Sequence, residues 1–532
     1  MIYGEFMDLK KLIKLWRKEI FFGIGIFSLA LILRLAKVLF DQQPIFGDEA
    51  IYIRWAQIMR AEPTLRFIPL SDGKQPLYMW AIIPLLKLIS NPLFAGRIMS
   101  VFTGMGSLVG VFVLTQILFR STKASLLASL VYAISPFVVF FDSMALVDSM
   151  LTMFGIWTLV FSVLSVKALR LDFAMIAGFF LGGAMLTKSP AVFFSILLPL
   201  DLLFLNLAKD KGKKAIILIK FLILLMVTYL IAFGLYNILR LGPNFHLIAL
   251  RNQDYIFPLS HLWINPKDPF IFHIKEIFQW LWILGPSVLP LLVAIGIILR
   301  FNKFKKEIFL LSFWILLPLL ANAMYAKVFT VRYILFVLPY LFIFVGVLFK
   351  NDLKKSFITL LLAIFIVHAL IIDLTLITKI EAAPLPRNER SGYLEEWTAG
   401  YGIKETAKYL EEYHKDNPDK KIVVGTEGYF GTLPDGLQMY LSRFPEITVI
   451  GVGLDLNQLP SSLIESKKAG NSTFLVINDS RLRVNYEDLD LKVVAAYPKA
   501  FRKVGTKEYN TLGPRETLYL FEVIGDKNTD KK

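Results

Sequence analysis

The chain has 532 residues, 56% of them apolar and 14% aromatic, and a mean hydropathy of +0.58, which is too apolar for a soluble globular protein and marks an integral membrane protein. Its 58 Lys and Arg outnumber 42 Asp and Glu, giving a formal charge of +16, but the cations fall in short clusters between apolar runs and read as topology signals, not as a nucleic-acid surface. With no cysteine, disulfides, thiolate nucleophiles, iron–sulfur clusters and cysteine-ligated zinc are excluded, which leaves carboxylates, Lys and Arg, His, hydroxyls or a bound metal to carry any chemistry.

A helix crossing about 30 Å of hydrocarbon needs about 20 apolar residues. Such runs are predicted at 20 to 40, 93 to 119, 124 to 141, 150 to 166, 173 to 187 and 190 to 207. Others follow at 215 to 240, 280 to 299, 308 to 325, 333 to 349 and 356 to 377, making about eleven transmembrane helices. The stretch Leu77 to Ile89 is about 13 residues, short for a span, and is placed as an interfacial or re-entrant helix on the outer face.

The positive charges support that placement, because cytoplasmic loops carry the Lys and Arg excess. With Leu77 to Ile89 left out, one side collects Lys10 to Lys18, Arg120 and Lys123, Lys167 and Arg170, Lys209 to Lys214, Arg300 to Lys306, and Lys350 to Lys355. Counting the short stretch as a span would move most of these clusters outside, so the N-terminus is expected in the cytoplasm. The first run carries Arg34 and Lys37 and has no small-residue cleavage site, so it reads as a retained helix and not a signal peptide.

The outer side then holds a loop at 41 to 92, a short loop around Asp142 to Asp148, a turn at Lys188, a loop at 241 to 279, a turn at Ala326 to Arg332, and the tail. The expected domains are a transmembrane domain over 1–379 and an extracytoplasmic α/β domain over 380–532. In that tail a helical pattern at Ile403 to His414 alternates with β-type runs at Ile422 to Gly425, Thr448 to Gly451, Phe474 to Ile477, Leu491 to Ala496 and Thr517 to Val523.

Charged residues on the outer loops are the candidates for chemistry. Asp48 and Glu49 precede Ile51, Trp55, Ile58 and Met59 at helical spacing, which predicts an amphipathic surface helix with an acidic pair at its start. The acids are either first-turn residues that favour the positive end of the helix dipole, or a general base or metal ligand facing a membrane-embedded substrate. Lys74, in Asp72-Gly73-Lys74-Gln75-Pro76, is a snorkelling anchor or a phosphate ligand. Asp148 follows Ser135-Pro136 and Asp142 in a nearly apolar stretch; a charge at a membrane boundary is costly, so it is a site residue or an ordinary solvated loop acid. Lys188 stands in the turn Leu186-Thr187-Lys188-Ser189-Pro190, where it can also be a plain helix-end charge. Lys327 and Arg332 lie outside against the positive-inside trend. A lipid phosphate would account for them, as would outer-leaflet headgroups. His246, His261 and His273 share one loop, but their spacing matches no ligand motif.

The order of these features resembles the dolichyl-phosphate-mannose protein mannosyltransferase superfamily, in its bacterial and archaeal branch that includes the lipid A aminoarabinose transferases. The resemblance rests on the Asp48-Glu49 pair, Lys74-Gln75-Pro76-Leu77-Tyr78, Arg97 at a helix start, Ser135-Pro136 before Asp148, Leu186-Thr187-Lys188-Ser189-Pro190, and Lys327 with Arg332-Tyr333 and Pro339, over roughly residues 20 to 350. It implies the GT-C type of membrane fold and an inverting transfer of one sugar from a polyprenyl-phosphate donor to a protein or glycolipid acceptor at the cell membrane. It also implies residue roles. Asp48 is similar to the catalytic base, with Glu49 beside it; Asp148 is similar to the second acidic residue of the site; and Lys74, Lys188, Lys327 and Arg332 look like donor-phosphate contacts. Family members often carry Arg where Asp142 stands, and Pro or Gly where Gln75 and Ser189 stand.

A divalent cation, Mg²⁺ or Mn²⁺, remains open, with Asp48, Glu49, Asp148 and His261 as candidate ligands. Two other readings compete. A transporter or flippase of a lipid-linked sugar would place polar groups along a path and repeat its halves, and neither is visible. An oligosaccharyltransferase-like enzyme would be expected, by resemblance, to carry a Trp-Trp-Asp signature that the tail lacks.

Overall fold

The computed structural model describes residues 17–40, 43–206, 211–350 and 356–524; the predicted basic positions Lys10, Lys11, Lys14, Lys209, Lys354 and Lys355 lie outside them. Six described helices are long and apolar enough to cross a membrane by length and composition: Arg17–Phe40, Pro92–Phe119, Val147–Ala168, Lys213–Leu241, Lys305–Tyr325 and Ser356–Thr378. Each was expected as a span. The protein is a mostly helical, polytopic membrane protein with a strand-containing C-terminal part.

The other five predicted spans are shorter or interrupted, and four of them break at proline. The run 124 to 141 divides into Thr122–Ala133 and Pro136–Phe141, with Ser135 extended between them. The run 190 to 207 is Val192–Leu197 flanked by 3-10 turns that contain Pro190 and Pro199. The run 333 to 349 starts as a 3-10 turn and becomes α-helical at Leu338–Val347, where Pro339 sits in the first turn. In place of one helix over 280 to 299, Phe270–Ile283 and Leu289–Arg300 meet around Gly285-Pro286. Hydropathy registers the apolar run and is blind to proline, which lacks an N–H and forces such breaks. The fifth, Leu171–Thr187, is continuous at 17 residues.

By internal contacts the chain forms two compact units. One contains the described residues up to Phe40, Phe67–Tyr78 and Ile98–Pro384; the other contains those of Asp41–Arg66, Met79–Arg97 and from Leu385 onward.

Inside the first unit a buried charge pair ties the helices together. Arg34 Nε donates to Asp142 Oδ2 at 3.0 Å, and both side chains are fully buried. Arg34 Nη1 donates to the carbonyls of Ala30 and Ala133. Asp142 also accepts from Tyr132 at 3.2 Å and from Ser149 at 2.7 Å. A Cβ at Gly104 would stand 2.3 Å from the Asp142 carboxylate, so only glycine admits this approach.

In the second unit, β1 (Ile45–Phe46) pairs antiparallel with β2 (Ala399–Gly400). The tail forms a five-stranded sheet of β3 (Ile422–Glu427), β4 (Ile447–Gly453), β5 (Ser472–Asn478), β6 (Leu491–Pro498) and β7 (Thr517–Val523). Its order is β4-β3-β5-β7-β6. β3 runs parallel to β4 and β5, and β7 is antiparallel to β5 and β6. All five strands and the helix Ile403–Asp416 fall where apolar periodicity predicts them. A core of Leu463, Leu475, Ile477, Phe521 and Val523 lies against one face.

Breaking a buried pair by removing one partner leaves an uncompensated charge and typically costs about 3–5 kcal/mol. Arg34→Ala is therefore expected to reduce the fraction of detergent-solubilised protein that stays monodisperse on heating, and Arg34→Met with Asp142→Leu is expected to restore most of it. A single variant as heat-resistant as the wild type would show that the pair does not hold these helices.

Candidate active site

In the second unit the predicted surface helix is present as Gly47–Ala61. Phe46 is extended at φ −98°, ψ 152°, and Asp48 and Glu49 fall in the first turn, where acids meet the positive end of the helix dipole. Neighbouring helical positions do not share a direction, and the two acids have different surroundings. Glu49 is fully buried. Its Oε1 accepts from Arg97 Nε at 2.9 Å and its Oε2 from Arg97 Nη2 at 3.0 Å, a bidentate pair. Oε2 also accepts from the Phe46 backbone N–H at 3.0 Å, and Arg97 Nη2 reaches the carbonyls of Gln43 and Pro44. Both Glu49 oxygens are thus committed to holding the start of the helix. Asp48 is half-buried.

In the first unit Asp148 and Lys188 come together. Asp148 opens the helix Val147–Ala168 after extended Leu146. Lys188 follows the helix Leu171–Thr187 in an extended conformation and leads into the 3-10 turn Ser189–Ala191. Lys188 Nζ donates to Asp148 Oδ1 at 2.7 Å and sits 4.1 Å from the centroid of the Tyr333 ring. The Arg332 guanidinium lies 5.6 Å from that ring as well. Asp148, Lys188, Arg332 and Tyr333 form one cluster, in which Asp148 is buried and its Oδ2 has no hydrogen-bond partner among the described residues.

Lys74 approaches the same turn through its neighbour. Gln75 Nε2 donates to Ser189 Oγ at 2.9 Å, so the two positions that depart from the family pattern bond to each other. Lys74 Nζ lies 3.2 Å from Asp72 Oδ2, and Asp72 also pairs with Arg251. Gly73 has φ +68°, and a Cβ there would meet Arg251 at 2.6 Å. Glycine suits this position twice over, through the left-handed backbone and through the space that Arg251 fills.

The described contacts place Lys327 elsewhere. Its Nζ donates to the Gln253 carbonyl at 2.6 Å and its backbone N–H to the Tyr255 carbonyl at 2.8 Å. His261 bonds to the Asp268 carbonyl at 2.7 Å and stacks on Phe257 at 4.1 Å. Among the described residues no group of three or more His, Asp or Glu is gathered as a metal site needs. The candidate ligands Asp48, Glu49, Asp148 and His261 do not form such a group.

Sequence reasoning reached Asp148, Lys188 and Arg332 but not their arrangement around Tyr333, nor Arg97 as the partner of Glu49. The signal for Arg34–Asp142 was present in a charge inside an apolar run. Its partner, 108 positions away, was not readable from spacing.

Residues 73–234, which include Lys74, Asp148 and Lys188, match the family described as dolichyl-phosphate-mannose-protein mannosyltransferase. No curated protein matches the chain in sequence. The solved structure of ArnT from Cupriavidus metallidurans in the apo state is similar at 15% identity, over 94% of this chain and 97% of that one, with a TM-score of 0.55. The same protein bound to undecaprenyl phosphate is similar at 15% identity and the same coverage, with a TM-score of 0.56. At this identity the likeness is one of fold, and it extends from the membrane helices through the C-terminal sheet.

Glu49→Gln removes the counter-charge of buried Arg97 and is expected to cost about 3–5 kcal/mol, read as earlier loss of monodisperse protein on heating. Asp48→Asn, at a half-buried position, is expected to cost less than about 1 kcal/mol. Equal heat resistance of the two variants would remove the division of roles between the acids.

Proposed function

We propose that this chain, a membrane glycosyltransferase of the GT-C superfamily, moves one sugar with inversion from a polyprenyl-phosphate donor to a hydroxyl of a protein or glycolipid acceptor on the extracytoplasmic face of the cell membrane. The observation that carries the reading is the pair of buried Asp148 with partly exposed Lys188, with Arg332 and Tyr333 around it. Preorganised cations in apolar surroundings suit a phosphate that gains charge as it departs. The match to the mannosyltransferase family over 73–234, and the undecaprenyl phosphate of the similarly folded ArnT, support a lipid-phosphate donor.

In this reading Asp48 takes the proton from the acceptor hydroxyl as its oxygen attacks the anomeric carbon. The bond from that carbon to the phosphate oxygen breaks, and the electron pair leaves with polyprenyl phosphate. Lys188 and Arg332 stabilise the developing charge, Arg332 as a bidentate donor and Lys188 as a point charge that Asp148 aims. Lys74 is an outer contact to the same phosphate, and Lys327, whose ammonium is engaged by the Gln253 carbonyl, is left out of this set. Glu49 acts through Arg97 as a positioning residue for the helix that carries Asp48. The N-terminus lies in the cytoplasm, and the residues from 385 lie outside. Such displacement needs no covalent carboxylate intermediate. Mg²⁺ or Mn²⁺ would add charge stabilisation at the phosphate if the enzyme uses one.

The test is transfer by purified protein from a panel of polyprenyl-phosphate sugars, following release of polyprenyl phosphate with and without EDTA. Asp48→Asn is expected to lower the rate by about 10²–10⁴-fold, the usual worth of a positioned base; full activity would remove Asp48 from that role. Arg332→Ala is expected to act mainly on the apparent donor affinity, weakening it by about tenfold, and an unchanged affinity would remove the phosphate contact.

A further inference from the structure

The second unit contains a cavity of about 930 Å³ that the reading above does not use. Two helices line it, each with one face. Arg54, Gln57, Ile58 and Ala61 recur at i, i+3, i+4, i+7 on the helix Gly47–Ala61, and Lys404, Ala407, Lys408 and Glu411 do so on Ile403–Asp416. Ser442 and Arg443 follow the short helix Asp435–Tyr440 along the wall.

The lining is strongly cationic. Arg54, Arg60, Lys404, Lys408 and Arg443 face two carboxylates, Glu62 and Glu411, an excess of three positive charges. Arg54 is half-buried and donates to Gln438 Oε1 at 3.2 Å; burial pushes its pKa down and nearby Asp435 pushes it back up. Burial likewise raises the pKa of the Glu411 carboxyl, while nearby Lys415 and Arg443 pull it back down. Arg60 Nη1 is anchored on the Leu86 carbonyl at 2.8 Å. The Gln57 amide donates to the Met439 carbonyl and to Ser442 Oγ, both at 3.0 Å, and its buried Oε1 has no hydrogen-bond partner among the described residues. The cavity therefore combines excess positive charge with polar side chains held in place by hydrogen bonds to its walls. Asp48 lies six residues before Arg54 on the same helix, about 9 Å along its axis.

We propose that this cavity is an acceptor subsite that holds an acidic saccharide, its carboxylate or phosphate groups on the cationic rim. The inference rests on the transferase reading for the word acceptor, while binding to the cavity does not. The acidic groups serve for holding and are not the reacting hydroxyl. A volume near 930 Å³ is at the upper end for small-ligand sites and admits several sugar units.

Binding to the full-length protein in nanodiscs tests it, with three probes: hexagalacturonate for carboxylates, glucose 1,6-bisphosphate for phosphates, and neutral maltohexaose. At least one acidic probe is expected to bind at low salt, weaken as salt screens the rim, and outcompete maltohexaose; which one binds names the acidic group. Lys408→Glu with Arg443→Glu, both at exposed positions, is expected to weaken that binding at least tenfold. Lys468→Glu, on the exposed side of another helix, is expected to leave it unchanged. Asp48→Asn is expected to keep the binding while losing transfer, which separates failure of the subsite from failure of the base. The proposal is overturned if neither acidic probe binds, if maltohexaose binds as well, or if Lys468→Glu weakens binding as much as the double reversal.

Discussion

Charge enclosed in apolar surroundings has to be matched, and that constraint organises the parts of this protein that matter for its chemistry. Three pairs meet it. Arg34–Asp142 is fully buried and both Asp142 oxygens accept hydrogen bonds. In Arg97–Glu49 both Glu49 oxygens are bound as well. Lys188–Asp148 is the pair that differs, because Lys188 is partly exposed while the cations of the other two pairs are buried. Arg34 Nη2 and Asp148 Oδ2 are both buried without a hydrogen-bond partner among the described residues, so hydrogen-bond saturation does not separate the pairs and exposure of the cation does. A partly exposed ammonium can meet an anion that a buried guanidinium cannot.

The acidic pair at the start of the Gly47–Ala61 helix shows how local geometry sorts residues that look alike in sequence. Successive helical side chains are turned about 100° apart, so adjacent acids point in different directions and meet different neighbours. Glu49 takes the inward direction and is neutralised by Arg97; Asp48 stays half-buried. Asp-Glu as a dipeptide reads equally as helix capping and as catalysis. The structure assigns the capping work to Glu49, with its bond to the Phe46 N–H.

Much of the architecture was legible because it depends on period and composition. The six long helices and all five strands of the tail lie where apolar runs and alternation put them. The places where the reading departed share a cause. The break at Ser135-Pro136 and the change at Gly285-Pro286 are backbone effects that a hydropathy average does not register. The β1–β2 pairing joins residues more than 350 positions apart through four residues, too few to leave a pattern. In the candidate site, residue types were legible and partnerships were not. Gln75 and Ser189 stood out singly as departures from the family pattern, and their meaning is visible only as a bond between them.

That bond bears on how Lys74 and Lys188 are arranged. Lys74 and Lys188 are separated by 114 positions, yet each is the residue just before a partner in the Gln75–Ser189 hydrogen bond. Glycine or proline at these two positions could not make a side-chain bond between the loops, so in such chains the spacing of the two lysines must be set by backbone conformation instead. Here the amide-to-hydroxyl contact couples them. The Asp72–Arg251 pair and the close packing of Gly73 on Arg251 fix the other side of the Lys74 loop. Lys74 is therefore held from both sides by neutral and paired groups, with its ammonium 3.2 Å from Asp72. The loop's anchors are the Gln75–Ser189 bond, the packing of Gly73 and the Lys74 backbone N–H on the Pro69 carbonyl, so the position of the lysine is set by its neighbours and its own backbone.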